Sequence, residues 1–321
     1  MKKVQFVLLL TVMIFLIGYA IYTNLSVTYR FPYAPNDRFQ TYLTLTEVPE
    51  RLYFADEQIP LDNQRVARRL QREMQIHAYF NNSQFGMMQR ADYWLPKFDP
   101  ILKQYGIPRD FRYLAVVESM LLNVESPKGA GGFWQLMPAT AKSFGLEIND
   151  EVDERYHPIK ATHAACKYLR QAQRTLGSWT TVAASYNVGI GGVMGAMRRQ
   201  NKQSFYDLRL NSETARYLFK VTAYKQLLEH PREYGYRTVR NNPLRKRSKK
   251  VRVTESIEDL SAFASEHATT LSQLKRDNPW LLSNRLTIKE AGKSYLLEIS
   301  DPPPVVEPTE EYPSVDSVFA N

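Results

Sequence analysis

From Asp62 to about Leu228 the apolar side chains recur at helical spacing in runs broken by glycines, and this periodicity limits that stretch to an all-α fold. Val66, Leu70, Met74 and His77 form one series, and Tyr93, Leu95, Phe98, Leu102 and Tyr105 a second, which together predict two amphipathic helices. Further helical runs follow from Pro108 and are interrupted at Gly129 to Gly132, Gly145, Gly177 and Gly189 to Gly192. Gly145 and Gly177 each stand where a run ends, a place that calls for a left-handed backbone, which glycine adopts without strain. The helix near Ala139 to Phe144 is therefore expected to be short, and the one from about Ile159 to Leu176 long. The helical domain is expected over residues 61–235.

The flanks have a different character. Lys2 and Lys3 precede an uncharged apolar run from Val4 to Tyr22, which as a helix spans about 28 Å, close to the roughly 30 Å hydrocarbon core of a bilayer. Residues 1–22 read as a signal anchor with the lysines left in the cytoplasm, or as a cleaved signal peptide whose small residues come from Gly18-Tyr19-Ala20. Either reading exports the rest of the chain, and no cysteine stands near the end of the run for lipid attachment. Residues 23–60 mix Pro, Asn and Thr without periodicity and are expected to be a spacer. Residues 301–321 are proline-rich and acidic, the composition of a disordered tail.

Charge and cysteine narrow the partners. The net charge is +9, and between Arg237 and Arg252 only Arg and Lys carry charge. Residues 236–250 thus read as a solvated basic linker or as an attraction to an anionic polymer or surface. Nucleic acid is not an expected partner for an exported chain. Cys166, the single cysteine, excludes an internal disulfide and sits at helical spacing with Thr162 and Leu169, as a small buried hydrophobe would. Beyond the linker, residues 251–300 read as a small βααβ module. A β-leaning Val251-Arg252-Val253 comes first, then helical patterns at Leu260 to His267 and Leu271 to Asn278, then Ser294 to Ile299.

Three patches within the helical domain carry chemistry. In the helix opened by Pro108, Glu118 shares a face with Phe111, Leu114 and Ala115, so its carboxyl points where apolar side chains point. Desolvation there raises a carboxyl's pKa, and a carboxyl kept protonated near neutral pH is what general-acid cleavage of a glycosidic bond requires. The second patch runs from Ser126 to Pro138 and sets a glycine-rich turn beside Phe133, Trp134 and Gln135. Glycines let a backbone approach a ligand closely, and aromatic rings with a fixed amide suit sugars bearing N-acetyl groups. The third patch, Ser185-Tyr186-Asn187, ends an apolar helix just before Gly189. Taken singly, each also reads as ordinary structure: an ion-paired Glu, a tight turn with a core Trp, a helix stop.

Together these patches are similar to the successive motifs of the membrane-bound lytic murein transglycosylase D family, which is related in fold to goose-type lysozyme. The likeness is carried by Glu118-Ser119, Gly132-Phe133-Trp134-Gln135-Leu136-Met137-Pro138, Val152-Asp153-Glu154-Arg155, Ser185-Tyr186-Asn187 and Glu213-Thr214-Ala215-Arg216-Tyr217, and covers about residues 62 to 230. Two positions depart from the family pattern: Ser185 stands where Ala is usual, and Asn211-Ser212 where a Pro commonly precedes the Glu-Thr pair. The resemblance implies a mainly α, lysozyme-like catalytic domain that cleaves the glycan strands of peptidoglycan in the periplasm without a metal or cofactor. It also implies that Glu118 is both acid and base, that Ser119, Gln135, Tyr186 and Asn187 hold the sugar, and that Tyr217 completes the site. The alternatives are a hydrolytic muramidase, using a second carboxylate among Glu125, Asp150 and Asp153, and a non-catalytic peptidoglycan-binding scaffold. Proteins of cell-wall synthesis or remodelling would be natural partners. The module over 251–300 resembles a lysin motif in which Ile257-Glu258-Asp259 stands where Gly-Asp-Thr is usual.

Overall fold

The computed structural model describes residues 48–78, 82–234, 236, 242, 244–245 and 247–300. A short hairpin, β1 (Tyr53–Phe54) and β2 (Glu57–Gln58), precedes α1 (Gln64–Ala78) and α2 (Asn82–Gln104). A 3-10 turn over Arg109–Phe111 runs into α3 (Arg112–Ser119), followed by α4 (Pro138–Ser143), α5 (Pro158–Leu176), α6 (Trp179–Val188), α7 (Ile190–Gln200) and α8 (Ser212–Glu229). The C-terminal part is β3 (Ser248–Val253), α9 (Leu260–Glu266), α10 (Leu271–Asp277) and β4 (Tyr295–Ser300), with β3 and β4 antiparallel from Ser248 opposite Ser300 to Val253 opposite Tyr295. The architecture is thus the expected helical domain followed by a βααβ module. Gly145 and Gly177 take φ of +92° and +77° just beyond α4 and α5, as their places in the sequence predict.

Helix α8 sits at the centre and packs against α1, α3 and α6. Its sequence requires this. Tyr217, Leu218, Phe219, Val221, Thr222, Ala223 and Tyr224 are all buried, and a helix apolar around most of its circumference must be interior. Packing α3 against α8 is what brings residues near 118 to residues near 217. An ion pair ties α8 to α1 as well: the buried Glu73 carboxylate takes Arg216 Nε at 2.5 Å and Nη2 at 3.1 Å. Burial alone would push Glu73 up, but hydrogen bonds from His77 and Arg216 outweigh it and hold its pKa down at about 2.

Two expectations need correction. The spacer expected over 23–60 ends before Leu52, because Leu52, Phe54, Ala55 and Ile59 are buried in the helical domain. Phe54 meets Phe111 with ring centroids 5.3 Å apart, and Phe111 meets Trp179 at 5.2 Å. Glu57 caps α6, accepting from the backbone N–H of Trp179 at 2.5 Å and of Thr180 at 3.0 Å. A hairpin this short has no periodicity to read, yet burying a Phe or Ile contributes about 1.5–3 kcal/mol. The basic linker expected over 236–250 is likewise shorter, since β3 begins at Ser248. Asn242 is buried against α2, its Nδ2 donating to the Gln89 carbonyl at 2.7 Å and to Asp92 at 3.0 Å.

The apolar run at 4–22 and the tail at 301–321 lie outside the described residues. Among the described residues, no helix is long and apolar enough to cross a membrane.

Candidate active site

Glu118 stands one residue from the end of α3, which stops because Met120 and then Leu121 turn into the left-handed region, at φ of +54° and +57°. Gln135, in the glycine turn, is a third residue of this kind at +46°. Such backbones cost non-glycine residues about 1–3 kcal/mol each and concentrate at functional sites.

The Glu118 carboxyl is only partly exposed and accepts a hydrogen bond from the Tyr217 hydroxyl at 2.5 Å. Burial pushes its pKa up to about 7. The Tyr217 hydroxyl and the Lys220 charge oppose the rise, and the Glu213 charge adds to it. At neutral pH the group therefore divides between acid and carboxylate, and either form can be drawn on. Tyr217 and Tyr186 are themselves held well above the ordinary tyrosine value by burial and by the Glu118 charge beside them, so both phenols stay neutral.

The glycine turn is fastened to α3 and α6 by its carbonyls. Ser119 Oγ donates to the Phe133 carbonyl at 2.9 Å, and the Tyr186 hydroxyl donates to the Trp134 carbonyl at 2.8 Å. Trp134 is fully buried, with its indole N–H on Thr162 Oγ1 at 2.8 Å. Gln135 folds its amide back onto its own turn, donating to Gly132 O at 2.8 Å and Val124 O at 3.0 Å. Asn187 links α6 to α8: its Nδ2 donates to Glu213 at 3.1 Å, and its Oδ1 accepts from Thr214 Oγ1 at 2.6 Å.

Of the six residues singled out in the sequence, four share direct or near contacts, and Gln135 and Asn187 bond to the glycine turn and to α8 respectively. Tyr217 touches Glu118 directly and Tyr186 interacts with it electrostatically. Ser119 and Tyr186 both donate to carbonyls of the glycine turn, while the Gln135 and Asn187 amides bond within the protein. Two neighbours of Glu118 were not singled out, Glu213 and Lys220. A lone Lys in a buried helix gives no signal in sequence, and Glu213 stood in the recognised motif without a reason to separate it from its neighbours.

Arg155 supports the turn from behind. Buried beside Asp153, it donates Nη2 to Asp153 Oδ2 at 2.7 Å and Nη1 to the Gly129 carbonyl at 2.6 Å and the Leu136 carbonyl at 3.3 Å. Gly132 is required there: its φ is +74°, and a Cβ would lie 1.9 Å from the Arg155 carbonyl oxygen. Of the carboxylates named for a second catalytic role, Asp150 is exposed and the other two are engaged elsewhere. Asp153 pairs with Arg155, and Glu125 accepts from the Tyr156 hydroxyl at 3.0 Å. Among the described residues, no group of three or more His, Cys, Asp or Glu is placed to hold a metal ion.

Residues 99–208 match the Transglycosylase SLT domain family, and residues 249–310 match the Soluble lytic transglycosylase C-terminal LysM-like domain family. Membrane-bound lytic murein transglycosylase D of Escherichia coli strain K12 is 25% identical over 242 residues, covering 74% of this chain and 52% of that protein. The chain therefore spans about half the length of that relative. Membrane-bound lytic murein transglycosylase F of Aliivibrio fischeri is 30% identical over 115 residues, covering 32% of this chain and 22% of that protein. A solved lytic transglycosylase Slt from Pseudomonas aeruginosa aligns with 43% of this chain and 24% of that chain at 22% identity, with a TM-score of 0.34. The chain carries a transglycosylase SLT domain followed by a LysM-like domain of the lytic transglycosylase type, and it is homologous to membrane-bound lytic murein transglycosylase D.

Proposed function

We propose that this protein is a peptidoglycan lytic transglycosylase that cleaves the bond between N-acetylmuramic acid and N-acetylglucosamine without water. The observation that carries the reading is the Glu118 carboxyl, which lies within the SLT-matched residues, is raised to about 7 by burial and accepts a hydrogen bond from the Tyr217 hydroxyl. As an acid, Glu118 protonates the glycosidic oxygen, and the bond opens through an oxocarbenium-like state. As a carboxylate, it takes the proton of the muramic acid C6 hydroxyl, whose oxygen closes on the anomeric carbon and leaves a 1,6-anhydro end. Tyr217 steadies the carboxyl in both forms, because a phenol that stays neutral can donate to it throughout.

Ser119 and Tyr186 set the glycine turn, and Gln135 and Asn187 exchange their internal bonds for bonds to the sugar's N-acetyl and hydroxyl groups. The site of action is the periplasm, with residues 4–22 anchoring the chain in the inner membrane and peptidoglycan glycan strands as the substrate. Partners among cell-wall synthesis or remodelling proteins fit that location. Glu213 favours one rival, a hydrolytic muramidase, because it is a carboxylate whose charge reaches Glu118. Glu118→Gln tests the assignment: release of muropeptides from purified sacculi should cease, and normal release by this variant would overturn it.

A further inference from the structure

The 147–157 segment of the helical domain is built into the C-terminal module. Val152 pairs with Leu281 in an antiparallel bridge. Asp153 N–H donates to the Trp280 carbonyl at 2.9 Å, and Leu282 N–H to the Glu151 carbonyl at 2.9 Å. The Val152 side chain is buried in the module's own apolar core with Trp280, Leu281 and Leu286. Two carboxylates complete the joint. Glu151 accepts from Thr287 N–H at 2.8 Å, Thr287 Oγ1 at 3.0 Å and Arg285 Nε at 2.8 Å. Glu147 accepts from the Tyr295 hydroxyl at 2.8 Å and Lys293 Nζ at 2.9 Å. His157 stacks on Trp280 with ring centroids 5.9 Å apart.

The same short segment supports the glycine turn. Asp153, whose backbone is bonded to the module, holds the Arg155 guanidinium, and Arg155 holds the carbonyls of Gly129 and Leu136. Only two residues along the chain, Asp153 and Glu154, separate Val152, inside the module's core, from Arg155, whose guanidinium holds the glycine turn. A tether between two independent domains would join them at exposed side chains. This joint instead shares backbone hydrogen bonds and a buried apolar residue, so the module cannot shift without moving residues 151–155.

We propose that the C-terminal module is a fixed support behind the active site, with Glu147 and Glu151 as positioning residues that hold the 147–157 segment and, through Asp153 and Arg155, the glycine turn that Ser119 fastens to α3. The kinetic half of this proposal rests on the glycan-cleaving reading above. The structural half does not. A module serving only to capture glycan would alter KM on long strands and leave kcat on short ones untouched, whereas a support changes kcat at every substrate length.

The test uses the full chain and its Glu151→Ala and Arg285→Glu variants. The second sets two carboxylates against each other from a side chain that is 62% exposed, so it leaves both cores intact if the first fails to fold. Two readouts are taken: amide hydrogen exchange at Gly131 and Leu136, whose N–H groups bond to each other's carbonyls at 3.1 and 3.2 Å, and turnover of a short soluble glycan of alternating N-acetylglucosamine and N-acetylmuramic acid. Exchange at both amides should accelerate, and kcat should fall about tenfold with KM nearly unchanged, since even small misplacements of a site cost this much. Glu151→Gln, which keeps an acceptor for Thr287, should recover part of both. Wild-type exchange at Gly131 and Leu136 in both variants, or a change confined to KM on long strands, would overturn the proposal. If the unaltered protein cleaves no glycan, the catalytic reading fails while the exchange result still decides whether the module holds the turn.

Discussion

Replacing Glu118 by Gln should remove a loss of stability that the native protein suffers as pH rises. In the unfolded chain this carboxyl titrates near its ordinary value of 4.5, and in the folded protein burial raises it to about 7. Between those values the folded state binds the proton and the unfolded state has lost it, so stability falls as pH rises through this window. The span is about 2.5 pKa units, and at 1.36 kcal/mol per unit it sets an upper bound of about 3 kcal/mol lost by pH 8. Glutamine does not titrate and escapes this loss. Any constant difference from the altered bond to Tyr217 cancels when the two proteins are compared across pH. Urea unfolding of both at pH 5 and pH 8 measures the effect: the stability of the Gln variant relative to the native protein should grow by about 2–3 kcal/mol between them. Parallel curves would refute the reasoning, because they would mean that the Glu118 carboxyl titrates as it does in water.

Two further outcomes follow from the same geometry. Tyr217→Phe removes the donor that holds Glu118 down, and a hydrogen bond to a charged group is worth about 1.5–3 kcal/mol, so the alkaline limb of kcat/KM should move up by about 1–2 pH units while the rate at its plateau falls. A pH–rate profile of the variant checks this, and an unmoved limb would contradict the role given to Tyr217. Gly132→Ala places a methyl group against the Arg155 carbonyl in a left-handed backbone. It should cost at least about 2 kcal/mol, read as a lower urea midpoint, and should abolish cleavage.

The legibility of the sequence varied with the distance over which residues act. Helices α1, α2, α4 and α5 were readable because periodicity and glycine ends are local signals, and Glu118 was readable because its face on α3 follows from 3.6-residue spacing. The β1–β2 hairpin was not, since four strand residues carry no period and Glu57 caps a helix start more than a hundred residues away. Ser119, Gln135 and Tyr186 were expected to face the sugar, but their present bonds run to the glycine turn, because no sequence pattern distinguishes a hydroxyl that binds backbone from one that binds ligand. Arg155 was visible only as part of a motif. Its role depends on Gly129 and Leu136, far from it in the chain, and on the C-terminal module.

The mass of the products released from purified sacculi by the full chain tests the central claim most directly. Glu118 acting alone as acid and then base leaves muropeptides with 1,6-anhydro ends and no reducing ends. Products one water heavier would contradict it and assign the chemistry to a hydrolase in which a carboxylate such as Glu213 takes part.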